Sequence, residues 1–231
     1  MINTKSILNK KIYAFSSKEE MLNYLEDKKQ LLIALNAEKL CSKDSSLTEL
    51  INNNIGYPDG IGAVLALRKK GVRAIKIAGA EFWLDIIEKY QSSKSFYFVG
   101  GTGEIINKTI KKLKIDFPEI NISGYRDGYF NEEESELLIQ DIVNKKPDVI
   151  FVALGSPKQE FLMESFLHRH KALYMGLGGS YDVYTGSKKR APKVFINLGL
   201  EWFYRLLKEP TRFSRQLKLV TFLNKVIFNK I

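Results

Sequence analysis

The sequence predicts an α/β fold: a Rossmann-like, mostly parallel sheet with flanking helices, followed by a basic helical C-terminal appendage. Three observations carry this expectation. Short, unbroken apolar runs alternate with helical patterns, as in sheets buried on both faces. Glycine-rich turns follow two of those runs. Positive charge gathers in the last fifth of the chain. A length of 231 residues suits one large domain plus an addition, and the expected division is 1–190 for the α/β domain and 191–231 for the appendage.

The elements follow in order. Met1 to Lys11 holds three lysines and no apolar core, so it does not read as a signal peptide. The β-type runs are Leu31–Asn36, Ala74–Ala78, Ser95–Val99, Ile120–Ser123, Val149–Leu154 and Ala172–Met175. The helical patterns are Gly60–Lys70, Glu81–Gln91, Glu104–Lys114, Glu132–Lys145 and Pro157–Arg169. This alternation is the signature of strands joined by crossover helices. Hydrophobic residues make up 45% and charged residues 27%, an ordinary folded composition. The single cysteine, Cys41, cannot form an intrachain disulfide, which suits a reducing compartment. No stretch approaches the ~18 consecutive apolar residues of a spanning helix.

After Gly186 the pattern changes to helical, with aromatic and leucine residues among Arg and Lys. Pro210 divides it into Pro192–Leu207 and Thr211–Phe228. Residues 188–231 carry eleven Lys or Arg against two Glu, nine of the chain's ten net positive charges. Such a segment is either a solvated basic face or a seeker of polyanions. In the last helix Phe213, Leu217, Val220 and Ile227 share one face, and Arg212, Arg215, Lys218 and Lys225 another. That pattern fits a membrane-surface helix, or one packed on the protein body.

Several residues could carry chemistry. Gly100-Gly101-Thr102-Gly103 follows a β-type run and opens a helix, and Gly176-Leu177-Gly178-Gly179 follows the last run. Both are tight βα turns or phosphate cradles, because glycine lets backbone approach a phosphate and helix N-termini attract anions. Ligands of open α/β sheets bind at the carboxyl ends of the strands. Asp59, in Tyr57-Pro58-Asp59-Gly60, reads as a helix N-cap or as a general base. Gly155-Ser156-Pro157-Lys158-Gln159-Glu160 places Lys158 and Gln159 where they would face the strand ends. Arg190, Arg205, Arg212 and Arg215 have the guanidinium forks that neutralise a diphosphate.

The pattern also excludes chemistry. There is no Asp-x-Asp clamp for a divalent metal, and Glu134-Ser135-Glu136 lies early in a helical pattern, where acids suit the dipole. His168, His170 and one cysteine do not complete a zinc site, so no metal is expected. The first glycine turn lacks both the P-loop ending and the complete dinucleotide fingerprint, so no cofactor is expected. No RNA-binding motif is present, and nucleic acid is not an expected partner.

Taken in order, the motifs resemble those of the WecG/TagA/CpsF family of bacterial glycosyltransferases. They are Leu35-Asn36-Ala37-Glu38, Pro58-Asp59-Gly60-Ile61-Gly62, Val99-Gly100-Gly101-Thr102 and Leu154-Gly155-Ser156-Pro157-Lys158-Gln159-Glu160. Arg190-Ala191-Pro192, Gly199-Leu200-Glu201-Trp202-Phe203-Tyr204-Arg205-Leu206 and Glu209-Pro210 with Arg212 complete the set. The resemblance runs from about Leu31 to Arg215. It departs at Ala34, where the family often has threonine, and at Lys76-Ile77-Ala78-Gly79-Ala80-Glu81, where the family tends to begin on arginine.

The resemblance implies an inverting, metal-independent transfer from a UDP-sugar, commonly N-acetylmannosamine or its uronic acid, to an amino sugar on a polyprenyl diphosphate. Asp59 would be the base. Asn36, Lys76 and Gln159 would hold the sugars, and Gly100, Gly101, Gly103, Gly178 and Gly179 the phosphate or uracil. Arg190, Arg205, Arg212 and Arg215 would neutralise the departing diphosphate. The appendage would close the site and meet an anionic membrane, placing the protein at the cytoplasmic face of the plasma membrane. Homo-oligomerisation is compatible with this reading. The rival reading is a non-catalytic Rossmann-like module that binds anionic lipid or nucleic acid through its basic tail.

Overall fold

Apolar runs become strands wherever both of their faces are covered. The computed structural model describes residues 2–189, 191–192, 194–195, 203–204, 206, 213–228 and 231, and for 213–217 the backbone alone. A six-stranded parallel sheet has the order β4-β3-β8-β7-β5-β6. The strands are β3 (Leu31–Leu35), β4 (Ile55–Pro58), β5 (Ser95–Gly100), β6 (Asn121–Arg126), β7 (Val149–Ala153) and β8 (Leu173–Gly176). Every residue of β7 and β8 is buried, which is why the sequence shows no alternation there. Residues Asn3–Ile7 (β1) and Lys10–Ala14 (β2) form an antiparallel hairpin, paired from Asn3 with Ala14 to Ile7 with Lys10. The fold is α/β and Rossmann-like, as expected.

The chain divides into two compact units. Unit 1 comprises Met1–Lys18, Ala34–Ala78 and Lys189–Ile231; unit 2 comprises Glu19–Ile33 and Gly79–Lys188. Strand β3 contributes its first three residues to unit 2 and its last two to unit 1.

In unit 2, β5, β6, β7 and β8 carry α5 (Gly79–Tyr90), α6 (Gly103–Asp116), α7 (Glu132–Lys145), α8 (Lys158–Arg169) and α9 (Ser180–Tyr184). Their core is aromatic. Trp83 meets Phe151, Tyr181 and Tyr184 edge-on at 5.7, 5.7 and 5.2 Å, an arrangement that ring quadrupoles favour. The Tyr181 hydroxyl donates to the Phe151 carbonyl, so α9 is tied to the centre of the sheet.

Unit 1 holds the hairpin, β4, α2 (Ala37–Leu40), α3 (Ser45–Asn53), α4 (Ile61–Lys69) and a C-terminal helix (Phe213–Ile227). Phe222 of that helix is buried. A Cβ on Gly62 would lie only 3.2 Å from its ring, so the ring occupies space that a larger residue would claim. The last helix therefore packs on the body of its own unit. The expected helix Pro192–Leu207 falls largely outside the described residues. No helix among the described residues is long and apolar enough to cross a membrane.

One expected strand is absent. Ala74–Ala78 is not a ladder strand. Ile75 donates to the Phe15 carbonyl and Ile77 to the Pro58 carbonyl, so alternate amides serve two different segments. The apolar residues there come from burial of Ile77, not from strand pairing.

Candidate functional site

Unit 2 gathers four turns at the carboxyl ends of its strands. After β5, Gly100 and Gly101 take φ of +123° and +70°, a region that side chains resist. A Cβ on Gly100 would lie 2.4 Å from the Ala153 carbonyl oxygen, so only glycine fits beside β7. Thr102 then caps α6, its hydroxyl accepting from the Ile105 amide, and Gly103 is the first helical residue. The turn is thus both a tight βα connection and a helix N-terminus that opens on a glycine.

The turns after β7 and β8 are joined by one residue. Gln159 is 4% exposed, and its carboxamide oxygen accepts from the Gly155 amide at 3.1 Å and the Gly178 amide at 3.0 Å. Its nitrogen donates to Glu160 at 3.2 Å. A Cβ on Gly176 would collide with that nitrogen at 2.3 Å, so the strand end is open only because a glycine stands there. Gln159 therefore acts as a strut between two turns, while Lys158 is exposed. Gly179 is the N-cap of the short α9.

A fourth turn completes the cradle and was missed in the sequence. Asp127-Gly128-Tyr129 follows β6. The Gly128 amide donates to the Gly101 carbonyl at 2.8 Å, and the Asp127 carboxylate accepts from the Tyr129 amide at 3.0 Å. A Cβ on Gly103 would lie 3.8 Å from Asp127, which places this carboxylate beside the α6 N-terminus. The Tyr129 ring is 74% exposed at the rim. The Asp-Gly dipeptide was the available signal, since it marks a turn.

Unit 1 brings together Asn36, Asp59 and Gly60. The Asp59 amide donates to the Leu35 carbonyl at 3.1 Å, and a Cβ on Gly60 would lie 3.8 Å from the Cβ of Asn36. The Asn36 oxygen caps α2 by accepting from the Lys39 amide at 3.0 Å. Gly60, not Asp59, is the N-cap of α4, which removes the expected capping role of Asp59 there. Lys76 is half-buried and precedes Ile77, whose amide bonds the Pro58 carbonyl, so it runs beside the Pro58–Asp59 turn. Glu38 pairs with Lys218 of the C-terminal helix at 3.7 Å. Arg190, Arg205 and Arg212 lie outside the described residues, as does the side chain of Arg215.

The carboxylates of Glu134-Ser135-Glu136 are engaged in structure. Glu134 closes a capping box with Asn131 and pairs with Arg126 at 2.7 Å; the Asn131 amide and Arg126 hold its carboxyl below the usual range. Glu136 takes both nitrogens of the Arg169 fork at 3.0 and 3.1 Å. His170 bonds the Pro147 carbonyl at 2.7 Å. Among the described residues no three His, Cys, Asp or Glu converge as a metal-ligand group.

A parallel sheet whose strand ends carry braced glycine turns defines a Rossmann-like ligand-binding α/β protein. The particular family follows from comparison with known proteins. A model of the Glycosyl transferase WecG/TagA/CpsF family matches residues 5–231, and the chain belongs to that family. It is a glycosyltransferase of cell-surface polysaccharide synthesis, acting on a sugar donor and an acceptor.

Proposed function

We propose that the chain transfers an N-acetylmannosamine-type sugar, with inversion and without a metal ion, from a UDP-sugar to an amino sugar on a polyprenyl diphosphate. The observation that carries this reading is the braced cradle at the ends of β5, β6, β7 and β8, in a member of a glycosyltransferase family. Its glycines keep side-chain bulk away from the strand ends, and the N-terminus of α6 favours an anion such as a diphosphate. The exposed Tyr129 ring offers a stacking face for uracil.

Asp59 takes the proton from an acceptor hydroxyl as that oxygen attacks the anomeric carbon opposite UDP. Asn36, through its amide nitrogen, and Lys76 orient the sugar. Gln159 acts through the two turns that it joins. Positive charge must meet the departing diphosphate, and Arg190, Arg205, Arg212 and Arg215 supply it. The 191–231 appendage also draws the protein to anionic lipid at the cytoplasmic face of the membrane. Family membership favours catalysis over a non-catalytic binding module.

The test is release of UDP. The protein is mixed with a panel of UDP-sugars and a short-chain lipid diphosphate bearing an amino sugar. Acceptor-dependent UDP release, greatest with UDP-N-acetylmannosamine, is the expected result. Absence of UDP release from every donor refutes the donor assignment.

A further inference from the structure

Unit 1 contains a cleft of about 680 Å³ that the proposed reaction leaves unused. The β1–β2 turn, one face of α3 and Lys225 of the C-terminal helix line it. Its charged residues are Lys10, Lys43, Lys225 and Glu49. We propose that this cleft is a binding site for a phosphate group, presented either by a phospholipid headgroup or by a soluble phosphorylated molecule.

Lys10 lies at the base of the β1–β2 turn. It is 2% exposed, and an ammonium removed from water must be compensated. One of its N–H groups donates to the Ser42 carbonyl at 2.8 Å, and the residue lines the cleft. Lys225 and Lys43 reach the same space from two other segments. Three lining cations face one lining carboxylate, and Asp44 acts on Lys10 from beside the cleft, so positive charge remains in excess and favours an anion. Burial pushes the Lys10 ammonium below its usual pKa; Cys41 and Asp44 oppose this, and Lys225 adds to it. An anion bound in the cleft would relieve both the burial and the repulsion.

Helix α3 supplies a polar wall. Ser45, Thr48, Glu49 and Asn52 form one stripe of α3, at the spacing that aligns side chains on a helix face. The Thr48 hydroxyl donates to the Asp44 carbonyl at 2.7 Å, so Ser45 is the hydroxyl of that stripe that can donate to a phosphate oxygen. Asn52 fixes the wall: it accepts from the Lys11 amide at 2.8 Å and donates to the Asn9 carbonyl at 2.9 Å. The hairpin turn is thereby clamped to α3, and the cleft is preformed. Leu8 adds apolar surface, which suits a phosphate ester with a carbon skeleton.

Cys41 is the reporter. It is the chain's only cysteine, it lines the cleft, and it is partly exposed. A bound anion shields its sulfur and disfavours its thiolate, so both effects slow alkylation. The rate of N-ethylmaleimide labelling is measured with inorganic phosphate against chloride of equal ionic strength. It is also measured with phosphatidylcholine vesicles containing either phosphatidic acid or, at equal charge, oleate.

At ~90% occupancy, labelling should slow by ~10-fold. Slowing by inorganic phosphate means that a soluble group suffices; slowing by phosphatidic acid vesicles alone makes the lipid headgroup the source. The double variant Lys43→Gln/Lys225→Gln, compared with and without ligand, should retain less than ~2-fold protection. Lys111→Gln, on α6, should keep full protection. Three results overturn the proposal: no protection by any probe, protection undiminished in the double variant, or equal protection by oleate vesicles. No sugar nucleotide is present, so this outcome is independent of the transfer reading.

Discussion

Gln159→Met tests the brace of the nucleotide cradle. The substitution keeps the length of the side chain and removes the oxygen that accepts from Gly155 and Gly178. A buried amide left without an acceptor costs about 1–3 kcal/mol. Two amides give a range of ~2–6 kcal/mol; the partial exposure of both turns lowers it and the lost bond to the buried Glu160 carboxylate raises it, so about 3 kcal/mol is expected. Volume is nearly conserved, so the cavity contribution is small. For a chain of this size each kcal/mol moves Tm by about 2–4 °C, so Tm should fall by ~6–12 °C. The assays are calorimetric unfolding and titration of UDP. Displaced turns should also weaken UDP binding by ~10-fold, or about 1.4 kcal/mol. A change in Tm below ~2 °C with unchanged UDP affinity would refute the strut. A fall in Tm with unchanged UDP affinity would keep the strut and remove UDP from the cradle.

Three further outcomes are expected. Excess EDTA should leave transfer at its full rate; loss of activity with rescue by Mg²⁺ or Mn²⁺ would contradict the arginine account of the leaving group. Arg212→Gln with Arg215→Gln should lower transfer to a water-soluble acceptor by ~10-fold or more, and unchanged turnover would limit these residues to the membrane. Alkali should destabilise the fold. Burial raises the Tyr90 hydroxyl to about 12 and also pushes those of Tyr97, Tyr174, Tyr181 and Tyr184 above their ordinary value. Unfolded tyrosines ionise near ~10, so above that pH the unfolded chain sheds protons that the folded chain keeps. Stability is therefore intact below pH ~10 and falls above it, by about 1.4 kcal/mol per pH unit for each such tyrosine. Denaturant midpoints at pH 8, 10 and 11 check this, and a flat series would contradict it.

The sheet was legible where burial alone sets the sequence. Strands β3, β7 and β8, and β5 after Ser95, are apolar without a break because both faces are covered, and α7 began and ended where its acids and lysine placed it. Other elements were hidden. Strand β4 is four residues long and ends on Pro58, which reads as a helix start; its proline lacks an amide to pair but offers a carbonyl, which Ile77 uses. The β1–β2 hairpin turns through Leu8 and Asn9 at positive φ, without the glycine that signals such turns.

The site divides in the same way. Its glycines could be found because close approach to the backbone demands them, as the Gly100–Ala153 contact shows. The role of Gln159 could not, because it depends on two turns that meet only in three dimensions. Asp59 and Gly60 are both good capping residues; the choice fell to Gly60, whose backbone is extended at φ −114° and ψ 156° and whose carbonyl accepts from the Val64 amide at 3.3 Å.

The most direct test of the account is Asp59→Asn, assayed for UDP binding and for transfer on the same preparation. Nucleotide binding is proposed for the glycine turns and proton transfer for Asp59. Asn keeps the size and shape of the Asp side chain, so the variant should fold normally and bind UDP with unchanged affinity. Transfer should fall by ~10²-fold or more, because a carboxamide cannot take the hydroxyl proton. Turnover near the unsubstituted rate, with UDP binding intact, would contradict the assignment of Asp59 as the base.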